Sequence, residues 1–392
     1  MLAHKIELKL NNKQRTYFAK AAGVARFAYN WALREWQKEY VLGLKPSDPS
    51  LRRKLNSIKH KEFPWMLEVT KNAPQMAIIQ LGQAFKNFFA KRALFPQFRK
   101  KGIHDRFTLS NDQFAVNGSR IRIPHLGWVR MRESLRFEGK ILSATISRRA
   151  DKWFVSLNVA SVKSVSSTEN ENQVAVGVDL GLTQFATLST GEIIPGPKPH
   201  KAKLHRLKRL SKSLSRKQKG SINRNKARIK LAKLHYQIAN IRNDAIHKFT
   251  TQLTSRFSTI VIEDLHVKGM VRNRKLSRSI SDMGFHEFRR QLEYKSGLNN
   301  KKVIVADRWF ASSKTCSVCA NKNSELTLSV REWQCNYCGT EHHRDINAAK
   351  NLEKLAVSFT VSACGASANG VIASAMTSYG ALKQESSAKV IY

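Results

Sequence analysis

The stretch VAVGVDLGLTQFATLS, residues 174–189, determines the predicted fold of the second half of the chain. It starts as an apolar run that ends at Asp179, turns at Gly181 and is apolar again from Phe185. Short apolar runs bounded by turn residues are typical of buried strands. Similar runs at residues 259–262 and 302–306, separated by helical stretches, predict an α/β domain.

The first 160 residues predict helices followed by antiparallel strands. Apolar residues recur at three- and four-residue steps over residues 13–40, and a second helix is expected to open at Pro74. Over residues 107–159 the period changes to two, and Asn117-Gly118 favours a tight hairpin turn. This pattern predicts a small antiparallel β-barrel.

The chain is strongly basic. It has 69 Lys and Arg against 28 Asp and Glu, which gives a formal net charge of +41 at pH 7. So much like charge repels itself unless a polyanion such as nucleic acid is bound. A membrane is a poorer candidate, because no apolar run approaches the roughly 18–20 residues of a spanning helix and the N-terminus lacks a signal-peptide core. We expect a cytoplasmic, nucleoid-associated protein of a prokaryote or, in a eukaryote, a nuclear protein.

The basic residues are concentrated between residues 198 and 233, where fifteen Lys and Arg occur without a single acid. Charged helical faces are commonly just solvated, but the complete absence of acids favours binding to phosphates. The candidate nucleic-acid-binding residues are Lys201, Lys203, Arg206, Lys208, Arg209, Lys212, Arg216, Lys217, Arg224, Lys226 and Arg228.

Four of the five cysteines form two CxxC pairs separated by fifteen residues. Each pair can present two thiolates to one ion, and two pairs complete a tetrahedral zinc site. The predicted ligands of one structural Zn²⁺ are Cys316, Cys319, Cys335 and Cys338. The nearby His342 and His343 are not expected to be ligands, and Cys364 stands apart from the cluster.

Three acids are candidates for a second metal site. Asp179 and Glu263 each end an apolar run, and Asp345 opens a predicted helix after the last cysteine pair. Carboxylates are the ligands that Mg²⁺ prefers, and two such ions can drive phosphodiester hydrolysis. Asp264 and Asp307 hold comparable positions and are the main rivals; an alternating strand favours Glu263 over Asp264.

Several stretches resemble the TnpB proteins of bacterial insertion sequences, which are related to the type V CRISPR effector nucleases. They include residues 176–189, IVIEDLHVKGM (260–270), SISDMGFHEFRRQLEYK (279–295) and CNYCGTEHHRDINAAKNL (335–352). The N-terminal ARFAYNWALREW (25–36), FPQFRKKG (95–102) and PHLGWVRM (124–131) extend the similarity over nearly the whole chain.

The resemblance implies an RNA-guided, Mg²⁺-dependent DNA endonuclease encoded by a transposable element. Its guide RNA would derive from the element's end, and double-stranded DNA would be cut next to a short target-adjacent motif at one RuvC site. Carried over by motif, the catalytic acids are Asp179, Glu263 and Asp345, with two Mg²⁺ ions. No obligatory protein partner and no membrane are implied.

The implied fold is multidomain α+β. A wedge-like antiparallel β-barrel (residues 1–10 and 106–165) carries a helical recognition lobe (11–105). An RNase H-like, RuvC-type α/β nuclease domain (171–312 and 342–365) contains an inserted zinc ribbon (313–341). A disordered tail (366–392) is expected to follow.

The sequence departs from the family pattern at Ala320, where glycine is common, and at the pair His342-His343, where an acid is commoner. Neither departure removes a predicted ligand. Two other functions are compatible with the residues: a guide-independent nucleic-acid-binding regulator and an acidic-triad transposase. Retained binding without cleavage would indicate the first, and joined rather than cut DNA the second.

Overall fold

The computed structural model describes residues 2–160, 173–327 and 329–363. The predicted tail and Cys364 lie outside the described residues. The chain forms two compact units, one of Met1–Ser166 with Ala202–Ile241 and the other of Ser167–Lys201 with Arg242–Tyr392. Among the helices described, none has the length and apolar character needed to cross a membrane.

Three helices form much of the first unit. Asn11 and Gln14 cap the first helix reciprocally, and Ser47 and Ser50 do the same for the second. Trp36 and Phe85 stack at 4.2 Å where the first and third helices pack together. The helices are α1 (Asn12–Val41), α2 (Asp48–Glu62) and α3 (Asn72–Phe89). The helix predicted for residues 13–40 is confirmed, whereas α2 was not predicted.

A seven-stranded antiparallel sheet completes most of this unit. The strands are β1 (Leu2–Lys9), β2 (Arg106–Ser110), β3 (Ala115–Asn117), β4 (Arg120–Ile123), β5 (Gly127–Met131), β6 (Lys140–Arg149) and β7 (Lys152–Ala160). Their order is β2-β6-β7-β1-β5-β4-β3, with β2 and β3 at open edges. The predicted barrel is therefore not confirmed, because the described strands form no closed sheet. β1 joins the two halves of this sheet, since it pairs with β7 through residues 2–7 and with β5 through residues 8–9.

The basic stretch forms helices α4 (Pro199–Ala202), α5 (Leu204–Ser215) and α6 (Ile222–Arg256). The break between α5 and α6 falls at Gly220, which has a φ of +86° that a glycine adopts without strain. Leu207, Leu234 and Ile238 form a small apolar seam between α5 and α6. The other faces of these two helices carry their basic side chains.

The second unit is built on a five-stranded sheet with order β10-β9-β8-β11-β12. The strands are β8 (Gln173–Leu180), β9 (Ala186–Leu188), β10 (Ile193–Ile194), β11 (Phe257–Glu263) and β12 (Lys302–Ala306). β8, β11 and β12 run parallel, whereas β9 pairs antiparallel with β8 on one side and with β10 on the other. The helices are α7 (Val267–Met270), α8 (Ser277–Met283), α9 (Phe285–Leu298) and α10 (Arg344–Ala363).

Both faces of this sheet are covered by helices. Phe249 of α6 and Phe288 of α9 pack with Ile260 on one face, and Leu352 of α10 packs with Val261 on the other. A Cβ built on Gly177 would lie 1.8 Å from the backbone oxygen of Ala349, so only glycine allows β8 and α10 to approach this closely. Between β12 and α10 lies a short hairpin of β13 (Glu332–Gln334) and β14 (Glu341–His343).

Candidate active site, metal centre and nucleic-acid surface

Asp179, Glu263 and Asp345 line one cleft with a volume of about 350 Å³. Asp179 and Glu263 lie near the carboxyl ends of the parallel strands β8 and β11, and Asp345 lies in the first turn of α10. The carboxyl ends of parallel strands share one edge of a sheet, which is where open α/β folds place their ligand crevices. The packing of α10 against β8 adds the third acid.

Two of the three carboxylates have a raised pKa. Burial raises the pKa of Asp179 well above its ordinary value, and the charges of Glu263 and Asp345 raise it further. Burial also raises the pKa of Glu263, although a hydrogen bond from Ser312 opposes the shift. Acids held together at such a cost fit a site that receives cations.

Neighbouring side chains hold the acids in place. The Ser312 hydroxyl donates to Glu263 Oε1 at 2.7 Å, and Arg331 Nη1 donates to Asp345 Oδ1 at 2.7 Å. Arg344 is buried, and its positive charge partly opposes the rise in the pKa of both Asp179 and Glu263. Sequence reasoning missed these three residues, because none has a spacing that marks it.

The rival acids have other partners. Asp264 accepts hydrogen bonds from Arg308 at 2.6 Å and Arg289 at 2.8 Å, and these lower its pKa, the Arg308 bond most. Asp307 is exposed and accepts from the backbone N–H of Trp309 at 2.8 Å. Neither residue is among those lining the cleft that holds the other three acids.

Two buried asparagines of α10 tie the cysteine-bearing segment to that helix. Asn347 accepts from the Ser317 N–H at 2.8 Å and donates to the Thr315 oxygen at 2.7 Å. Asn351 donates to the Ser312 and Thr315 oxygens at 2.7 and 2.6 Å. Their i, i+4 spacing on an otherwise apolar helix face was the available sequence signal.

The four predicted zinc ligands come together. Their sulfur atoms all lie within 4.8 Å of one another, with Cys316 and Cys338 Sγ 3.7 Å apart and Cys319 and Cys335 Sγ 3.6 Å apart. Four thiolates at about 2.3 Å from one tetrahedral ion would lie about 3.8 Å from each other. The arrangement fits Zn²⁺.

The two cysteine turns have matching backbones. Ala320 N–H donates to the Cys316 oxygen at 3.0 Å, and Gly339 N–H donates to the Cys335 oxygen at 2.9 Å. Ala320 and Gly339 have φ of +63° and +69°. His342 Nε2 lies 3.0 Å from Cys316 Sγ and its ring packs on Trp333, a position for supporting a ligand.

Eight of the eleven candidate nucleic-acid-binding residues are exposed. Lys203, Lys217 and Arg224 are partly buried. Arg224 donates from Nη1 to the Leu214 and Lys217 oxygens at 2.9 and 2.7 Å, so it also closes the end of α5.

Known families match three parts of the chain. A family described as "Probable transposase" matches residues 157–274, and one described as "Cas12f1-like, TNB domain" matches residues 285–352. A family described as "Helix-turn-helix domain" matches residues 1–45. The last region folds here as β1 and the single long helix α1.

Full-length relatives decide the assignment. A Streptomyces pristinaespiralis protein named "Putative RNA-guided DNA endonuclease" is 36% identical, covering 98% of this chain and 96% of its own. This chain belongs to the TnpB family. A second family member, "Putative RNA-guided DNA endonuclease InsQ" of Escherichia coli K12, is 33% identical over 93% of this chain and 94% of its own.

A solved structure shares the fold. The chain in "Cryo-EM structure of the Cas12f1-sgRNA-target DNA complex" superposes with a TM-score of 0.57 at 15% identity, covering 87% of this TnpB-family chain and 83% of that one. Multidomain α+β architecture is therefore common to both.

Proposed function

We propose that this protein is an RNA-guided DNA endonuclease that cuts double-stranded DNA by two-metal-ion hydrolysis at a RuvC site. The observation that carries the proposal is the convergence of Asp179, Glu263 and Asp345 on one cleft. Its full-length relatives bear the name of that activity. The sheet order β10-β9-β8-β11-β12 supports an RNase H-like domain, with a zinc ribbon inserted between β12 and α10.

The residues present fit divalent cations. Burial and the charges of Glu263 and Asp345 raise the pKa of Asp179, so a bound cation would stabilise its ionised form. The oxygens of all three carboxylates are the donors that Mg²⁺ prefers. Two bound Mg²⁺ ions would supply an activated water and stabilise charge on the leaving oxygen. Asp179, Glu263 and Asp345 would hold them.

The rest of the cleft orients these groups. Ser312 fixes the rotamer of Glu263 through its hydroxyl, and Arg331 fixes that of Asp345 through its guanidinium. Arg331 and Arg344 also bring positive charge to the cleft in which a phosphodiester would lie. The four cysteines, whose sulfur spacing fits a tetrahedron, would hold one structural zinc ion.

The partners would be a guide RNA from the element's end and double-stranded DNA bearing a short adjacent motif. The exposed cations of α5 and α6 suit backbone binding, which leaves sequence choice to base pairing between guide and target. The helices of residues 11–105 and the open sheet would grip the resulting heteroduplex. Action in the cytoplasm at the nucleoid follows from these partners.

The test is co-purification followed by cleavage. The protein is expressed with the DNA that flanks its own gene, RNA surviving a high-salt wash is sequenced, and matching plasmid is incubated with Mg²⁺. Glu263→Gln should lower cutting by at least about a hundredfold, because it removes a metal ligand. Asp264→Asn, which changes the adjacent ion-paired acid in the same way, should keep cutting within a few-fold of wild type.

The two variants and the RNA give separate answers. Discrete RNA that directs cutting, together with loss in Glu263→Gln alone, supports the proposal. Equal loss in both variants would mean that the cleft has been assigned to the wrong acids. Heterogeneous RNA and no directed cutting would overturn the guided mechanism.

A further inference from the structure

Hydrogen bonds near both ends of the loop that follows β12 attach it to the end of β11. Ala306, the last residue of β12, pairs in register with Glu263. Arg308 then reaches Asp264 at 2.6 Å, and Ser312 reaches Glu263 at 2.7 Å. Residues 307–312 are thus held at two points beside the candidate catalytic acid.

The backbone of this loop is also internally bonded. Asp307 Oδ1 accepts from Trp309 N–H at 2.8 Å, and the Asp307 backbone oxygen accepts from Phe310 N–H at 3.1 Å. Phe310 packs inward with the cluster that contains Val261 and Leu352. The neighbouring Trp309 is left at the tip.

Trp309 is 86% exposed. All seven tryptophans of the chain lie in its described part, and the other six are buried or at most 45% exposed. The loop backbone that carries this indole is already fixed by hydrogen bonds, so a ligand that stacks on the ring has only the side chain left to order. Single exposed apolar residues are common, but this one projects from the segment that positions Glu263.

We propose that Trp309 is a stacking platform for a nucleobase of the DNA strand that enters the acid cleft. The inference rests on the proposed function, in which a strand whose phosphate lies at Glu263 runs beside the loop that Ser312 joins to this acid. An adjoining cleft, lined by Glu263, His266, Asp307 and Arg308 among others, connects this loop to the candidate catalytic acid. Every base has a π-face, so stacking there tolerates any sequence, as a guided nuclease requires.

The test compares DNA with and without bases. The full chain, purified with the RNA it retains, is titrated with short single-stranded DNA containing either normal nucleotides or an abasic tract. Wild type should bind the normal strand roughly tenfold more tightly. Trp309→Leu should lose this preference by weakening only the normal strand, whereas Trp309→Phe, which keeps a ring, should retain most of it.

A second measurement locates the contact. Abasic sites are placed one at a time around the cut in a matching target. At a single position, the missing base should slow cutting by wild type roughly tenfold. The same abasic site should not slow cutting by Trp309→Leu further. Trp128→Leu, the same change at a half-exposed tryptophan of β5, should respond to the abasic scan as wild type does.

The outcomes separate the two proposals. Equal base preference in wild type and Trp309→Leu overturns the stacking platform, even where cutting is normal. A variant that changes the molecular mass in solution but not the base preference would mean that Trp309 contacts protein. Base-dependent binding by Trp309 without any cutting by wild type would uphold the platform and overturn the nuclease.

Discussion

Asp179 bears the largest electrostatic cost in the cleft. At neutral pH the unfolded chain holds this carboxyl ionised, whereas burial and two neighbouring acids favour its protonated form in the fold. When folding raises the pKa of an acid, the free energy of unfolding falls as pH rises from the pKa of the unfolded state to the pKa of the folded state. Metal-free protein should therefore gain stability when this charge is removed.

Asp179→Asn should accordingly raise Tm in EDTA at pH 7 while abolishing cutting. A gain on the order of 1 kcal/mol in the free energy of unfolding would appear as about 2–4 °C. Mg²⁺ should then raise the Tm of wild type more than that of the variant. Differential scanning fluorimetry measures both, and a lower Tm in EDTA would mean that Asp179 is a stabilising residue.

Ala320 occupies a backbone conformation that suits glycine. Its φ of +63° matches that of Gly339 in the second cysteine turn, yet a side chain in this region costs roughly 1–2 kcal/mol. Ala320→Gly should raise the free energy of unfolding by about 1 kcal/mol, and the mirror change Gly339→Ala should lower it by a similar amount. Urea denaturation of both variants checks the pair; opposite signs are required, because no other atom lies within 4 Å of a Cβ at Gly339.

Among the contacts between helices and strands, the one between β8 and α10 is the most important for the candidate active site. It places Asp179 and Asp345 in the same cleft, and it depends on the absence of a side chain at Gly177. A Cβ there would lie 1.8 Å from the Ala349 oxygen and 2.6 Å from the Glu353 nitrogen, both backbone atoms that cannot move independently of α10.

Gly177→Ala should cost at least about 3 kcal/mol in the free energy of unfolding, a value reached only by severe overpacking. Gly297→Ala, in the exposed last turn of α9 with no atom within 4 Å of the new Cβ, should instead be neutral or stabilise by up to about 1 kcal/mol. Chemical denaturation compares them. Similar effects of the two changes would contradict the close approach of α10.

We expect bound zinc to stabilise the segment that carries the four cysteines. Its segment has few buried apolar residues, among them Leu326 and Trp333, so zinc binding should supply much of its stability. Cys335→Ser should lower zinc content and the Tm together, whereas Cys364→Ser, at the fifth cysteine, should change neither. Metal analysis by mass spectrometry gives the stoichiometry, and one zinc ion retained in Cys335→Ser would contradict the four-cysteine site.

At the scale of the whole molecule, the charge of +41 makes nucleic-acid binding dependent on salt. Replacing Lys208, Lys212 and Arg216 of the α5 region with glutamine should reduce the slope of log Kd against log salt by up to roughly 2–3. Arg132, Arg136 and Arg290 form a control set outside the proposed binding helices, because each is already paired with a glutamate. Filter binding to a defined RNA over a salt series measures the slopes; equal slopes would mean that these helices do not contact phosphates.

Local patterns in the sequence were sufficient for many elements. The spacing of apolar residues predicted α1 within one residue at each end, and the apolar run 302–306 coincides with β12. The alternating period predicted for residues 107–159 is likewise confirmed by the antiparallel strands β2 to β7. These features depend on neighbours a few residues apart, which sequence periodicity records directly.

The sequence by itself determined the family, the charge, the acids worth considering and the four cysteines, because residue type and spacing carry that chemistry. Only the tertiary structure decided that the sheet of the first unit stays open and that Arg289 and Arg308 pair with Asp264. It also decided that Ser312 and Arg331 donate hydrogen bonds to two of the cleft acids. Those outcomes depend on side chains tens of residues apart meeting with hydrogen-bond geometry. Such contacts follow from packing, with Gly177 admitting α10 against β8, and leave no periodic trace in the sequence.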